Sequence, residues 1–102
     1  MNPLHLNIHH AIQNRLLLEF NYANEGTRVV EPFCFGLTRA GNLGLRAYQL
    51  GGYTNTNKPD WKLFDLKKAN DIKVLAKKFD PSVRTDYSVG DKHMKTIYIQ
   101  VY

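Results

Sequence analysis

The chain contains one cysteine, Cys34. A lone cysteine excludes an internal disulfide framework and fits a reducing compartment. No apolar run approaches the roughly 20 residues that span a bilayer. The N-terminus lacks a basic stretch followed by an apolar one, so no secretory signal is expected. Both absences point to a cytoplasmic protein without a membrane partner. The chain also lacks a phosphate-binding glycine loop, a dinucleotide glycine fingerprint and a nucleophile elbow. Gly41, Gly44, Gly51 and Gly52 read instead as turn residues. Asp60, Asp65 and Asp71 are dispersed around a lysine-rich strand and do not form an acid/base pair. Catalysis has no basis in these residues, and no cofactor is expected. Internal repeats, low-complexity tracts and linkers are likewise missing.

What remains is a single domain of 102 residues, long enough for a modest core. Its hydrophobic fraction of 43% and charged fraction of 23% are ordinary for a globular chain. The net charge is +5, and it is uneven. Residues 52–102 hold ten Lys/Arg against six Asp/Glu. The densest stretch is Lys62, Lys67, Lys68, Lys73, Lys77 and Lys78, against Asp65 and Asp71. Such an excess attracts polyanions through counterion release, although a solvated lysine face has the same composition.

Asn2-Pro3 reads as an N-cap and first helical residue. Leu4, Ile8, Ala11 and Ile12 share one side, which predicts a helix over 3–14. From Arg15 to Tyr22 the period changes to two, the mark of a strand. Ala23-Asn24-Glu25-Gly26 is a turn, and Thr27–Glu31 returns as a second strand. Pro32 predicts an edge or a bend. Phe33–Arg39 reads as a third strand or the continuation of the second. Gly36 marks a bulge or tight bend, and Cys34 is a buried small hydrophobe between Phe33 and Phe35. Gly51–Pro59 is the longest polar loop and the segment expected to be most mobile. Strands are expected over Trp61–Leu66, Ile72–Leu75 and Ile97–Val101, with a helical turn at Asp91–Lys95. The whole is mainly β with an N-terminal helix, and predicts a small, strongly bent barrel of five to six strands.

The stretch Gly41–Gln49 is central. On a strand, Leu43, Leu45 and Ala47 share an apolar face, while Gly44, Arg46 and Tyr48 share the other. With these segments in order, the chain resembles the WYL domain family over roughly residues 8–75. Leu18-Glu19-Phe20-Asn21-Tyr22 matches the family's first strand, and Arg28-Val29-Val30-Glu31-Pro32 its second. Leu43-Gly44-Leu45-Arg46-Ala47-Tyr48 sits where the name-giving Trp-Tyr-Leu strand belongs. Lys62-Leu63-Phe64-Asp65-Leu66-Lys67-Lys68 matches its Arg-x-Phe-x-Leu-x-Arg strand. The triplet here reads Leu-Gly-Leu, and lysine stands at both arginine positions. Lysine lacks the planar bidentate grip that arginine has on phosphate.

The resemblance implies an Sm-like small barrel comprising the whole chain. It would have a helix at 3–14, barrel strands within 16–75 and a C-terminal extension at 76–102. It also implies a ligand-sensing module of transcription or defence regulation in bacteria or phage. The ligand class would be single-stranded nucleic acid or a nucleotide, held in a basic, aromatic groove. The family usually carries a winged-helix DNA-binding domain ahead of this one. The chain is therefore expected to be either free-standing or cut from a larger regulator.

Tyr22, Arg28, Arg46, Tyr48, Lys62 and Lys68 are the candidate ligand-binding residues. Aromatics would stack on bases while cations hold phosphates. A rival class is a non-catalytic interaction or oligomerisation module, a homodimer included, that pairs through exposed edge strands. Its candidate surface is the last strand, with Tyr98 and Tyr102. His5 and His9 have the i, i+4 spacing of a metal pair, but no third ligand is nearby, so a polar helix flank is the expectation. His10 and His93 have no evident partners in the sequence.

Overall fold

The computed structural model describes residues 3–52 and 59–102. One helix, α1 (Pro3–Asn14), is followed by six strands. These are β1 (Leu16–Tyr22), β2 (Thr27–Thr38), β3 (Leu43–Gly52), β4 (Asp60–Asp65), β5 (Ala69–Lys78) and β6 (Met94–Gln100). The described part of the expected mobile loop is regular: Gly51 and Gly52 close β3. Residues 53–58 lie outside the described residues.

The helix forms where the apolar spacing demands, with Ile8, Ala11 and Ile12 fully buried. It ends at Arg15, which takes a left-handed φ of 58°. The Arg15 guanidinium then donates to the Ile12 carbonyl at 2.6 Å, satisfying one of the orphaned acceptors at the helix end. In the following turn Asn24 and Gly26 adopt positive φ, as their chemistry predicts, and Ala23 does so as well.

All strand pairs are antiparallel, in the order β4-β3-β2-β1-β5. Of the two readings of the segment after Pro32, the continuation holds: the second strand runs on to form the long central β2. One edge of β2 pairs with β3 along its length. The other is shared: β1 takes Thr27–Val30, and β6 takes Cys34–Thr38. Pro32 falls in the gap between these partners, where the ladder needs no N–H from it. A register shift between Pro32 and Cys34 marks the expected bend.

Phe20, Phe35 and Phe64 are buried in the core with Ile8, Ala11 and Ile12 of α1, while Phe33 packs among Trp61, Phe79 and Tyr87. The sheet is bent but not closed, since β4 and β5 stand at its two ends. A short 3-10 turn, Leu66–Lys68, joins them. The Tyr22 hydroxyl accepts from the Asp65 N–H at 3.0 Å, and the Ala23 N–H donates to the Lys68 carbonyl at 2.8 Å. These two bonds tie the corner where a barrel ladder would have continued.

From Ala69 onward the structure departs from expectation. β5 begins at Ala69, three residues before the expected strand, and continues to Lys78. Asp91–Lys95 is not a helical turn, because β6 starts at Met94. The segment called an extension is therefore woven into the fold. β6 joins β2, and the Val101 N–H donates to the Phe33 carbonyl at 2.8 Å.

Candidate functional site

The alternation read from Gly41–Gln49 holds: Leu45, Ala47 and Gln49 are buried on one face of β3. Arg46 and Tyr48 lie on the other. Across the sheet Tyr48 lies between Glu31 and Trp61, and Arg46 between Cys34 and Leu63. Side chains in register share a face. Residues 84–93 pass over this face and bond to it.

Two ion pairs hold that segment. Arg84 reaches Glu31 with two hydrogen bonds, Nε to Oε1 at 2.8 Å and Nη2 to Oε2 at 3.2 Å. Its guanidinium carbon lies 3.7 Å from the centroid of the Tyr48 ring. Arg46 Nε donates to Asp91 Oδ2 at 2.7 Å. Burial pushes the Asp91 carboxyl upward. The hydrogen bonds from Arg46 and the His93 backbone outweigh it, and the net position is below the usual carboxylate value. His93 Nδ1 lies 2.9 Å from Arg46 Nη2. The same nitrogen is 3.3 Å from Asp91 Oδ1, and the tautomer decides which of the two contacts is a hydrogen bond. His93 thus has partners that the sequence did not reveal. So does His10, whose Nδ1 is 3.1 Å from the Asn14 amide.

Under the segment lies a cleft of about 480 Å³, bordered by Arg46, Trp61, Asp86, Tyr87, Lys92 and His93. Trp61 and Tyr87 stack at 5.9 Å with 23° between their planes, and Trp61 Nε1 donates to Asp86 Oδ2 at 2.9 Å. Burial raises the Tyr87 phenol to about 12. Its hydroxyl donates to the Val101 carbonyl at 2.8 Å. A second, more apolar hollow of about 380 Å³ adjoins at His93 and is lined by Arg39, Leu63 and Phe64.

The six residues expected to form one site divide. Arg46 and Tyr48 lie under the 84–93 segment. Tyr22 and Arg28 belong to the opposite, inner face. Arg28 is 7% exposed, donates to Gln49 Oε1 at 3.2 Å and lies 5.5 Å from the Tyr22 ring. Lys62 is in register with Ala47, and so does not share the face of Arg46. Lys68 is exposed on the 3-10 turn. His5 is an aromatic packing residue, 5.3 Å from the Phe35 ring, and no group of three metal-binding side chains occurs among the described residues.

The cations sort by type. Arg15, Arg28, Arg39, Arg46 and Arg84 all make internal hydrogen bonds. Among the described residues no lysine ammonium makes an ion pair or side-chain hydrogen bond. Lys67, Lys68, Lys73, Lys77 and Lys78 are exposed along the 3-10 turn and the edge strand β5. The expected grip was shared between Arg28 and Arg46 and the lysines Lys62 and Lys68. Arg46 and Arg84 are engaged by carboxylates distant in sequence, Arg15 and Arg39 by backbone carbonyls, and Arg28 by Gln49.

Comparison with protein-family models, curated proteins and solved structures gives no match.

Proposed function

We propose that this domain is a non-catalytic binding module for single-stranded nucleic acid or a nucleotide, with the lysine edge as its phosphate grip. One observation carries the reading: the arginines are engaged within the fold, while the lysines of the 3-10 turn and β5 are not. Ammonium groups without internal carboxylate partners are available to neutralise phosphates and so release the cations condensed on a nucleic acid. Lys68 remains in this version of the site, joined by Lys67, Lys73, Lys77 and Lys78, while Lys62 lies apart on β4. The WYL resemblance supports the same ligand class and supplies the setting of transcription or defence regulation. The edge position of β5 supports a simpler role too, since lysines blunt unpaired strands. Titration with short single-stranded DNA and RNA at several salt concentrations separates the two. Binding at low salt that falls steeply as salt rises supports the module. No binding at low salt leaves only edge protection.

A second reading, an assembly module, is favoured by the apolar surface around β6. Tyr98 is 48% exposed, Tyr102 89% and Leu6 54%. His5 and Phe35 pack against Tyr98 with ring centroids 6.5 and 5.4 Å away. Sedimentation over a wide concentration range tests it, and a concentration-independent monomer argues against it.

A further inference from the structure

The cleft beneath residues 84–93 has a charge layout unlike that of the lysine edge. Arg46 and Asp91 neutralise one another at 2.7 Å. Asp86 uses Oδ2 for the Trp61 indole, and its charge also reaches the Arg84 guanidinium; no ion pair of Asp86 within 4 Å occurs among the described residues. Lys92 is exposed at the cleft rim, and its ammonium too has no described partner. Asp86 and Lys92 thus border one cavity without pairing with each other. The stacked Trp61 and Tyr87 and the exposed side chain of Val89 border the same cavity.

We propose that this cleft is a separate small-molecule site, for a compound carrying an amine and a carboxylate on a flat apolar body. The amine would face the Asp86 carboxylate, and the ligand carboxylate the Lys92 ammonium. The apolar body lies against Trp61 and Val89. A volume of about 480 Å³ falls within the range of small-ligand pockets. Aromatic side chains give such a body contact area with defined orientation. A phosphate is disfavoured here, because Asp86 would set a like charge against it. An aromatic α-amino acid has the required layout, so phenylalanine is a suitable probe. This site does not depend on the nucleic-acid reading, and the two stand or fall separately.

Trp61 is the chain's one tryptophan and borders the cleft, so its fluorescence reports occupancy directly. The experiment titrates the protein with L-phenylalanine, with phenethylamine, which lacks the carboxylate, and with hydrocinnamate, which lacks the amine. Phenyl phosphate is the fourth probe. The expected result is a saturable change with phenylalanine, and affinity about tenfold weaker for each one-pole analogue, the loss of one charge-assisted hydrogen bond. Asp86→Asn and Lys92→Gln each weaken phenylalanine by a similar factor. Asparagine still accepts from the Trp61 indole, so D86N tests charge without removing that bond. Lys77→Gln, on the distant edge strand, leaves phenylalanine binding unchanged. The proposal is overturned by an unsaturable response, by either one-pole analogue matching phenylalanine, or by phenyl phosphate binding more tightly.

Discussion

Arg46 on β3 and Asp91 in the segment before β6 are joined by a 2.7 Å hydrogen bond across 45 positions of sequence. The Asp91 side chain is 8% exposed, so water does little to weaken the pair. An unfolded aspartate titrates near about 3.9, and folding holds Asp91 below its usual value. The folded state therefore binds this proton less readily than the unfolded one. The pair's contribution is fully present above the unfolded value and is lost as pH falls through the folded one. Asp91→Asn is expected to lower stability at pH 7 by about 2 kcal/mol. Urea denaturation from neutral to strongly acidic pH checks it. The gap between wild type and variant should narrow as pH falls below about 4. A constant gap contradicts the assignment.

Arg84 binds Glu31 with both arms of its guanidinium while lying on the Tyr48 ring. Lysine reproduces the charge but not the fork. Arg84→Ala is expected to cost about 2 kcal/mol, and Arg84→Lys to recover less than half of it. Chemical denaturation of the three proteins decides the point. Full recovery by lysine would mean that charge alone matters.

Two buried glycines differ in what a side chain would meet. A Cβ on Gly36 lies 2.1 Å from the Thr96 carbonyl oxygen, which is backbone. On Gly44 the nearest atom is Thr38 Cγ2 at 2.5 Å, a side-chain methyl that can rotate away. Gly36→Ala should therefore disrupt β2–β6 pairing and cost about 3 kcal/mol or more. Gly44→Ala should cost clearly less. Thermal unfolding of both variants gives the order, and the reverse order contradicts the packing account.

Cys34 is fully buried, and its thiol is pushed up to about 12 by burial first and by the charge of Asp91 second. The thiolate is the reactive form. The folded protein should therefore resist a thiol-specific disulfide reagent at pH 8, and react once in denaturant. Rapid stoichiometric labelling of the native protein would contradict this environment.

The sequence made the helix and β1 legible because their periods are unambiguous: Ile8, Ala11 and Ile12, then Leu16 to Tyr22. The faces of β3 were legible for the same reason. Pro32 was legible as an edge or a bend, yet it left open whether β2 continued past it, because continuity there depends on β6, whose paired residues lie 56 to 66 positions away. The site was less legible. Arg46, Tyr48 and Arg28 were sound choices for an anion site by type alone. What commits them is a set of distant partners: Asp91, Arg84 and Gln49. Charge patterning revealed the lysine run but not its lack of carboxylate partners. Nothing in the local pattern around Asp86 signalled that it would meet Trp61.

The central claim is that lysines, and not arginines, meet the ligand's phosphates. The most direct measurement is the salt dependence of single-stranded DNA affinity for wild type, Lys73→Gln, Lys77→Gln and Arg46→Ala. Each lysine variant should bind more weakly at low salt and lower the log–log slope by about 0.7, one phosphate contact to a single strand. Arg46→Ala, still folded by circular dichroism, should keep the wild-type slope. Unchanged slopes for both lysine variants with a reduced one for Arg46→Ala would contradict the account.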